Sequence, residues 1–191
     1  MIIAQGAEAK ISLEDGKIIK DRFEKAYRHK EIDLMLRTQR TKTEVRILKK
    51  LEDIIPVPSV LNCTSTTITM QYIESKILKD ELKPEHASQI GKIVAQMHEK
   101  NVVHADLTTS NMLLADKIHL IDFGLAYSTQ RIEDFAVDIH VFKEALESKH
   151  HKIAQKCMKL FIEAYSKHFS KAKQVLERLE TVENRGRNKS K

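Results

Sequence analysis

A two-lobed α+β fold, an antiparallel sheet with one long helix followed by a short helical lobe, is predicted for this 191-residue chain by three observations. The first half strings short β-branched stretches around a hairpin signal. A long, charged helical pattern interrupts them from about residue 31 to residue 51. The second half is helical except where two short runs break it, the polar His104-Ala105-Asp106-Leu107-Thr108-Thr109-Ser110-Asn111 and the mainly apolar Leu120-Ile121-Asp122-Phe123-Gly124.

Taken in order, Ile2 to Ala4 and Ala9 to Leu13 read as strands, split by Gln5-Gly6-Ala7-Glu8. Asp15-Gly16 is a hairpin signal ahead of Lys17-Ile18-Ile19-Lys20. Val45, Leu48 and Leu51 then fall on one face of a helix, with many charges opposite. Pro56 and Pro58 end that stretch, and Thr66 to Ile73 alternates as a strand does. This places a first lobe at residues 1–73. Pro84 and Glu85 open a helix running to about Lys100. Short strands follow near Met112-Leu113-Leu114 and Ile118 to Ile121, then helices over roughly 132–147 and 152–169 and an amphipathic stretch to Glu180. Residues 74–180 form the second lobe. Residues 181–191 are left as a basic tail without a core, expected to be disordered when free.

These two runs carry the chemistry. Asp106, Asn111 and Asp122 stand in the order and spacing of a kinase catalytic loop and its metal-binding Asp-Phe-Gly. That chemistry needs a carboxylate, Asp106, to meet the attacking water or hydroxyl. It needs an amide oxygen, from Asn111, and a second carboxylate, Asp122, to hold magnesium against the phosphates. ATP and Mg2+ are therefore expected. Lys20 closes the third strand, where a phosphate-binding lysine belongs, and Glu44 is its natural ion partner, with Glu31 and Asp33 as rivals. The turn Gln5-Gly6-Ala7-Glu8-Ala9 would cover the phosphates, although it holds one glycine where kinases carry three. Met70 takes the position behind the adenine, and backbone groups of Gln71 to Ile73 would meet its edge. Asp138 either braces the catalytic loop or is an exposed helix charge. Only 67 residues follow Gly124, and no Ala-Pro-Glu is among them, so no peptide-binding shelf is expected.

Composition narrows the class. The chain is 41% hydrophobic and 31% charged, with formal net charge +6 and no Trp. No apolar run approaches the roughly 20 residues that span a bilayer, so no membrane partner is expected. The first residues are too short and uncharged for a signal peptide. Cys63 and Cys157 lack a metal-type spacing and read as free thiols, which points to the cytoplasm. His150-His151 reads as a solvated helix end rather than a metal site. From Arg185 onward the tail carries Arg185, Arg187, Lys189 and Lys191 and no anion, a charge pattern that suits nucleic acid or mere solubility.

The segments around these motifs are more specific than the motifs. Gln5-Gly6-Ala7-Glu8-Ala9, Lys20 within Ile-Ile-Lys-Asp-Arg, Tyr27-Arg28-His29-Lys30-Glu31-Ile32-Asp33, Arg37 to Glu44, and the Asp-Leu-Thr-Thr-Ser-Asn loop together resemble one family nearly end to end. It is the Bud-thirty-two or p53-related-kinase family, the small Rio-type kinase/ATPase subunit of the KEOPS (EKC) complex. Three positions depart from its pattern. Ala105 stands where the family usually has Gly, Lys30 replaces a Pro, and the tail is a diluted form of the family's basic one. The first two are expected to be tolerated.

The resemblance implies a minimal bilobal Rio-type fold with a truncated helical C-lobe. It implies an atypical serine/threonine kinase that hydrolyses ATP beside its partner, the complex's threonylcarbamoyl-transferase subunit, in making threonylcarbamoyladenosine on tRNA. A small further subunit would cap the N-lobe, and the basic tail would reach the tRNA. The alternative is a free-standing Rio-type kinase with a separate protein substrate.

Overall fold

A computed structural model describes residues 1–6 and 8–187, without the side chains of residues 186 and 187. The N-lobe is a five-stranded antiparallel sheet of β1 (Ile2–Gln5), β2 (Lys10–Glu14), β3 (Lys17–Asp21), β4 (Val60–Cys63) and β5 (Thr67–Gln71), in the order β1-β2-β3-β5-β4. The hairpin at Asp15-Gly16 forms with φ of 48° and 69°, the positive values a tight primed turn needs. It sets the register in which Ile11 faces Lys20, and β5 then places Ile68 on the other side of Lys20. Lys20 therefore sits on the central strand of the sheet.

Helix α1 (Lys30–Leu51) buries Thr41, Glu44, Ile47, Leu48 and Leu51. The 41-44-48-51 spacing is one helical face, but its N-terminal half is polar because it meets a charged site rather than a core. Val45, expected on the apolar face, is only partly buried.

The C-lobe begins with β6 (Lys76–Ile77) and the single turn α2 (Leu78–Glu81), followed by α3 (His86–Glu99). Three short strands, β7 (Val102–Val103), β8 (Met112–Leu114) and β9 (Ile118–Leu120), frame the catalytic loop, and β10 (Tyr127–Ser128) pairs back onto β7. Three helices complete it: α4 (Ile132–Lys149), α5 (Ala154–His168) and α6 (Ala172–Arg187). Helices α3 and α5 touch at Gly91, where a Cβ would collide with the Phe161 carbonyl oxygen. One apolar cluster runs from Ile47 and Met70 in the N-lobe through Leu78 and Leu120 to Val175 and Leu179.

The tail requires a correction. Residues 181–187 continue α6, and Arg185 is 2.8 Å from Glu133 Oε1 on α4. The pattern Val175, Leu179 and Val182 keeps one face of the helix on the core past residue 180, so the irregular segment cannot start there. Lys189 and Lys191 lie outside the described residues, as does Ala7 of the first turn.

Candidate active site

Lys20 is 5% exposed, and its ammonium lies 2.8 Å from Glu44 Oε1 and 2.8 Å from Asp122 Oδ1. Of the three acidic candidates on α1, Glu44 is the partner. Asp33 is fully buried but spent on Arg37 Nε at 2.6 Å. The second oxygen of Glu44 is taken by the Arg22 guanidinium, which also donates to Thr41 Oγ1 at 3.3 Å. Two cations, Lys20 and Arg22, thus face two carboxylates, Glu44 and Asp122. Buried charge is tolerable only when matched in this way. Arg22 was not singled out in the sequence. Its signal is the alternation of β3 carried one residue past the strand's end, which sets residues 20 and 22 on the same side.

Asp122 adopts φ 61°. Gly124 follows closely enough that its N–H donates to Asp122 Oδ1 at 3.3 Å, and a Cβ there would stand 3.1 Å from that oxygen and 3.2 Å from Arg22 Nη2. Only glycine fits between them without displacement. Burial pushes the Asp122 carboxyl up, but the Lys20 ammonium and the Gly124 N–H outweigh it and hold the group below its ordinary value.

The Asn111 amide donates from Nδ2 to the Asp106 carbonyl at 2.9 Å and to Asp106 Oδ2 at 2.8 Å. Both amide hydrogens are therefore directed at Asp106, and the amide oxygen is the atom Asn111 can offer a cation. The Ile121 N–H donates to the Asn111 carbonyl at 3.0 Å, and Met112 pairs with Leu120, so the hairpin of β8 and β9 sets Asn111 beside Asp122. An amide oxygen and a carboxylate form an all-oxygen donor set. This fits magnesium, which takes one or two protein oxygens and completes its shell with phosphates and water.

Asp138 is 1% exposed and braces the loop. It accepts from the N–H groups of His104 and Ala105, each at 2.8 Å, while His98 Nε2 lies 3.2 Å away and His98 Nδ1 contacts the Tyr165 hydroxyl at 2.8 Å. Burial raises the Asp138 carboxyl, and His98 together with these N–H donors more than reverses the shift. Ala105 has φ 63°, so a side chain sits where the backbone favours glycine. The substitution is therefore accommodated with strain rather than neutrally. His104 Nε2 donates to the Ile121 carbonyl at 3.0 Å, and its ring packs 4.8 Å from the Phe123 ring.

The remaining candidates divide. Gly6 donates to the Ala9 carbonyl at 3.0 Å, closing the first turn, and Gln5 pairs with Lys10. Met70 is buried between Ile18 and Val60. The Gln71 N–H is occupied by the Ser59 carbonyl at 2.9 Å, and the Ile73 carbonyl accepts from Ser75 Oγ at 2.9 Å. Glu8 pairs with Arg40 at 2.7 Å and Arg28 at 3.3 Å rather than with Lys20. His150 is also more than a helix end: it ends α4 and places Nε2 3.1 Å from Thr109 Oγ1 in the catalytic loop. After Gly124, residues 125–131 alone precede α4, which leaves no space for a shelf.

A family model described as the RIO domain matches residues 12–152. The KEOPS complex subunit Bud32 of Pyrococcus abyssi is 36% identical over 209 residues, covering 97% of this chain and 95% of that protein. The probable bifunctional tRNA threonylcarbamoyladenosine biosynthesis protein of Methanosarcina mazei is 37% identical, covering 97% of this chain but 35% of its own length. The chain thus spans about a third of the bifunctional relatives it matches. Rio2 kinase of Chaetomium thermophilum, in an ADP/Mg2+-phosphoaspartate complex, superposes with TM-score 0.63 at 18% identity, covering 98% of this chain and 70% of that one, a likeness of fold. No helix among the described residues is long and apolar enough to cross a membrane. The RIO match over most of the chain and the end-to-end similarity to the Pyrococcus protein agree: this chain belongs to the RIO-domain family, alongside KEOPS complex subunit Bud32.

Proposed function

We propose that this chain is a Mg-ATP-dependent atypical serine/threonine kinase and ATPase, working as a KEOPS subunit in the threonylcarbamoyladenosine modification of tRNA. One observation carries the enzymatic part: Lys20 is held between Glu44 and Asp122, and Asp122 follows the strand whose hairpin partner begins after the Asn111 that bonds Asp106. In the reading we favour, Lys20 turns its ammonium to the α- and β-phosphates while Glu44 keeps it aimed. Asn111 and Asp122 would hold magnesium, which when bound neutralises charge on the phosphates. Asp106 orients water for hydrolysis, or a hydroxyl for phosphorylation, and accepts its proton. Met70 backs the adenine, and main-chain groups of Gln71 and Ile73 meet its edge.

Assembly is proposed from the relatives. The bifunctional archaeal proteins join a region like this chain to a longer remainder in one polypeptide, and their printed name assigns the whole to threonylcarbamoyladenosine biosynthesis. Here the remainder's counterpart would be a separate transferase subunit. It would cover the face that a peptide shelf occupies in ordinary kinases, with a small subunit capping the N-lobe. Arg185, Arg187, Lys189 and Lys191 would supply the basic charge that meets the tRNA, in the cytoplasm. Steady-state ATP hydrolysis with and without the transferase and tRNA tests this. Stimulated turnover is expected; phosphate passed to an unrelated protein without any partner would favour a free-standing kinase instead.

A further inference from the structure

We infer that Glu8 is a positioning residue that ties the phosphate-covering turn to α1, so that one helix sets both the turn and Lys20. The inference rests on the ATP reading above. Arg40 and Glu44 are four residues apart and so share a face of α1. Glu44 fixes Lys20 at 2.8 Å, and Arg40 Nη1 holds Glu8 Oε2 at 2.7 Å. A shift of α1 along or about its axis therefore carries the lysine and the turn together.

A second contact prevents the turn from simply swinging with the flexible Arg40 side chain. Arg28 Nη2 reaches Glu8 Oε1 at 3.3 Å while its Nη1 lies 3.6 Å from Asp33 Oδ1. Asp33 is fully buried and also bound by Arg37, which donates in turn to the Arg22 carbonyl at 3.1 Å. From Glu8 the chain of contacts therefore runs inward through Arg28, Asp33 and Arg37 to Arg22, the residue that follows β3, the strand that bears Lys20. A carboxylate beside incoming phosphates would repel them. Two arginines neutralise this one and aim it at α1 instead. Partial burial raises the Glu8 carboxyl, but Arg40 and Arg28 outweigh it and keep it ionised.

The test uses the full chain in four forms: wild type, Glu8→Gln, Arg40→Gln and the double variant. Two readouts are needed: amide exchange at Gly6, whose N–H closes the turn on Ala9, without nucleotide, and the Kd for Mg-ATP by calorimetry. Half-exposed ion pairs are individually weak, so each single variant should speed Gly6 exchange and raise the Kd about two- to five-fold. The double variant should be no worse than Glu8→Gln, because Glu8→Gln already removes the contact that Arg40→Gln removes. Unchanged Gly6 exchange, or losses in Kd that add, would overturn the inference. A wild-type chain that binds no Mg-ATP would defeat the ATP reading alone, and the exchange arm would still decide whether Glu8 ties the turn.

Discussion

Lys20 Nζ lies 2.8 Å from Asp122 Oδ1, so the cation expected to hold phosphates is bonded to the carboxylate expected to hold magnesium. Without nucleotide the two neutralise one another. When the pair parts, Lys20 keeps Glu44 and Asp122 faces water. Phosphate arriving at the lysine and magnesium arriving at the carboxylate thus each replace one partner of the same ion pair. Glu44 and Arg22 supply the counterweight that keeps the arrangement in place while Lys20 changes partner.

Arg22 and Lys20 should accordingly behave differently on removal. Arg22→Met leaves one oxygen of the buried Glu44 without a cation, and should cost about 3 kcal/mol of stability. Lys20→Met leaves Glu44 still paired with Arg22 and Asp122 half-exposed to water, and should cost less while ending turnover. Chemical denaturation of the two variants side by side checks this, and equal losses would contradict it.

Ala105 is a testable point of strain. At φ 63° a Cβ is unfavourable, and Ala105→Gly should raise stability by about 0.5–1 kcal/mol once the greater freedom of unfolded Gly is counted. Thermal melting of the variant measures it. A lowered Tm would mean that the methyl group makes a compensating contact.

Asp138 gives the fold a dependence on acid. Its carboxyl is held below the ordinary value in the folded chain, so folding is favoured fully above about pH 3.9, where the unfolded group ionises. That contribution is lost as pH falls through this value toward the folded one. Asp138→Asn should cost about 2 kcal/mol at pH 7, since an amide N–H would confront the N–H of His104 or Ala105. The gap between wild type and variant should narrow below pH 4, read from denaturation at a series of pH values. A constant gap would show that the ionised carboxylate is not what braces the loop.

Gly91 sets how closely α3 and α5 approach. Gly91→Ala places its methyl on the Phe161 carbonyl oxygen and within 3.1 Å of Ala164 Cβ, and the helices must part. A loss of about 1–3 kcal/mol is expected from denaturant unfolding. An unchanged midpoint would mean the helices separate freely.

Much of this was legible in the chain. The motifs name Asp106, Asn111 and Asp122 because their spacing serves a single chemistry, and Lys20 follows from the strand that ends on it. Glu44 was legible only as one of three, since helix periodicity cannot say which acid faces the sheet until the angle of α1 is known. Arg22 and the partners of Glu8 were hidden for a related reason: ion pairs between distant segments depend on register, and local pattern does not encode it. Helix α6 outran its expected end because three spaced apolar residues anchor a stretch whose charge suggested a loose tail. The strain at Ala105 was not legible, because it depends on φ, which residue type alone does not disclose.

The most direct measurement is Mg-ATP hydrolysis by the full chain, with the transferase partner and tRNA present, comparing wild type with Asp122→Ala. Positioning and charge neutralisation supply nearly all catalysis in this chemistry, so turnover should fall by about two orders of magnitude or more. Turnover near the wild-type rate in the variant would place the nucleotide chemistry somewhere other than the Lys20–Glu44–Asp122 site.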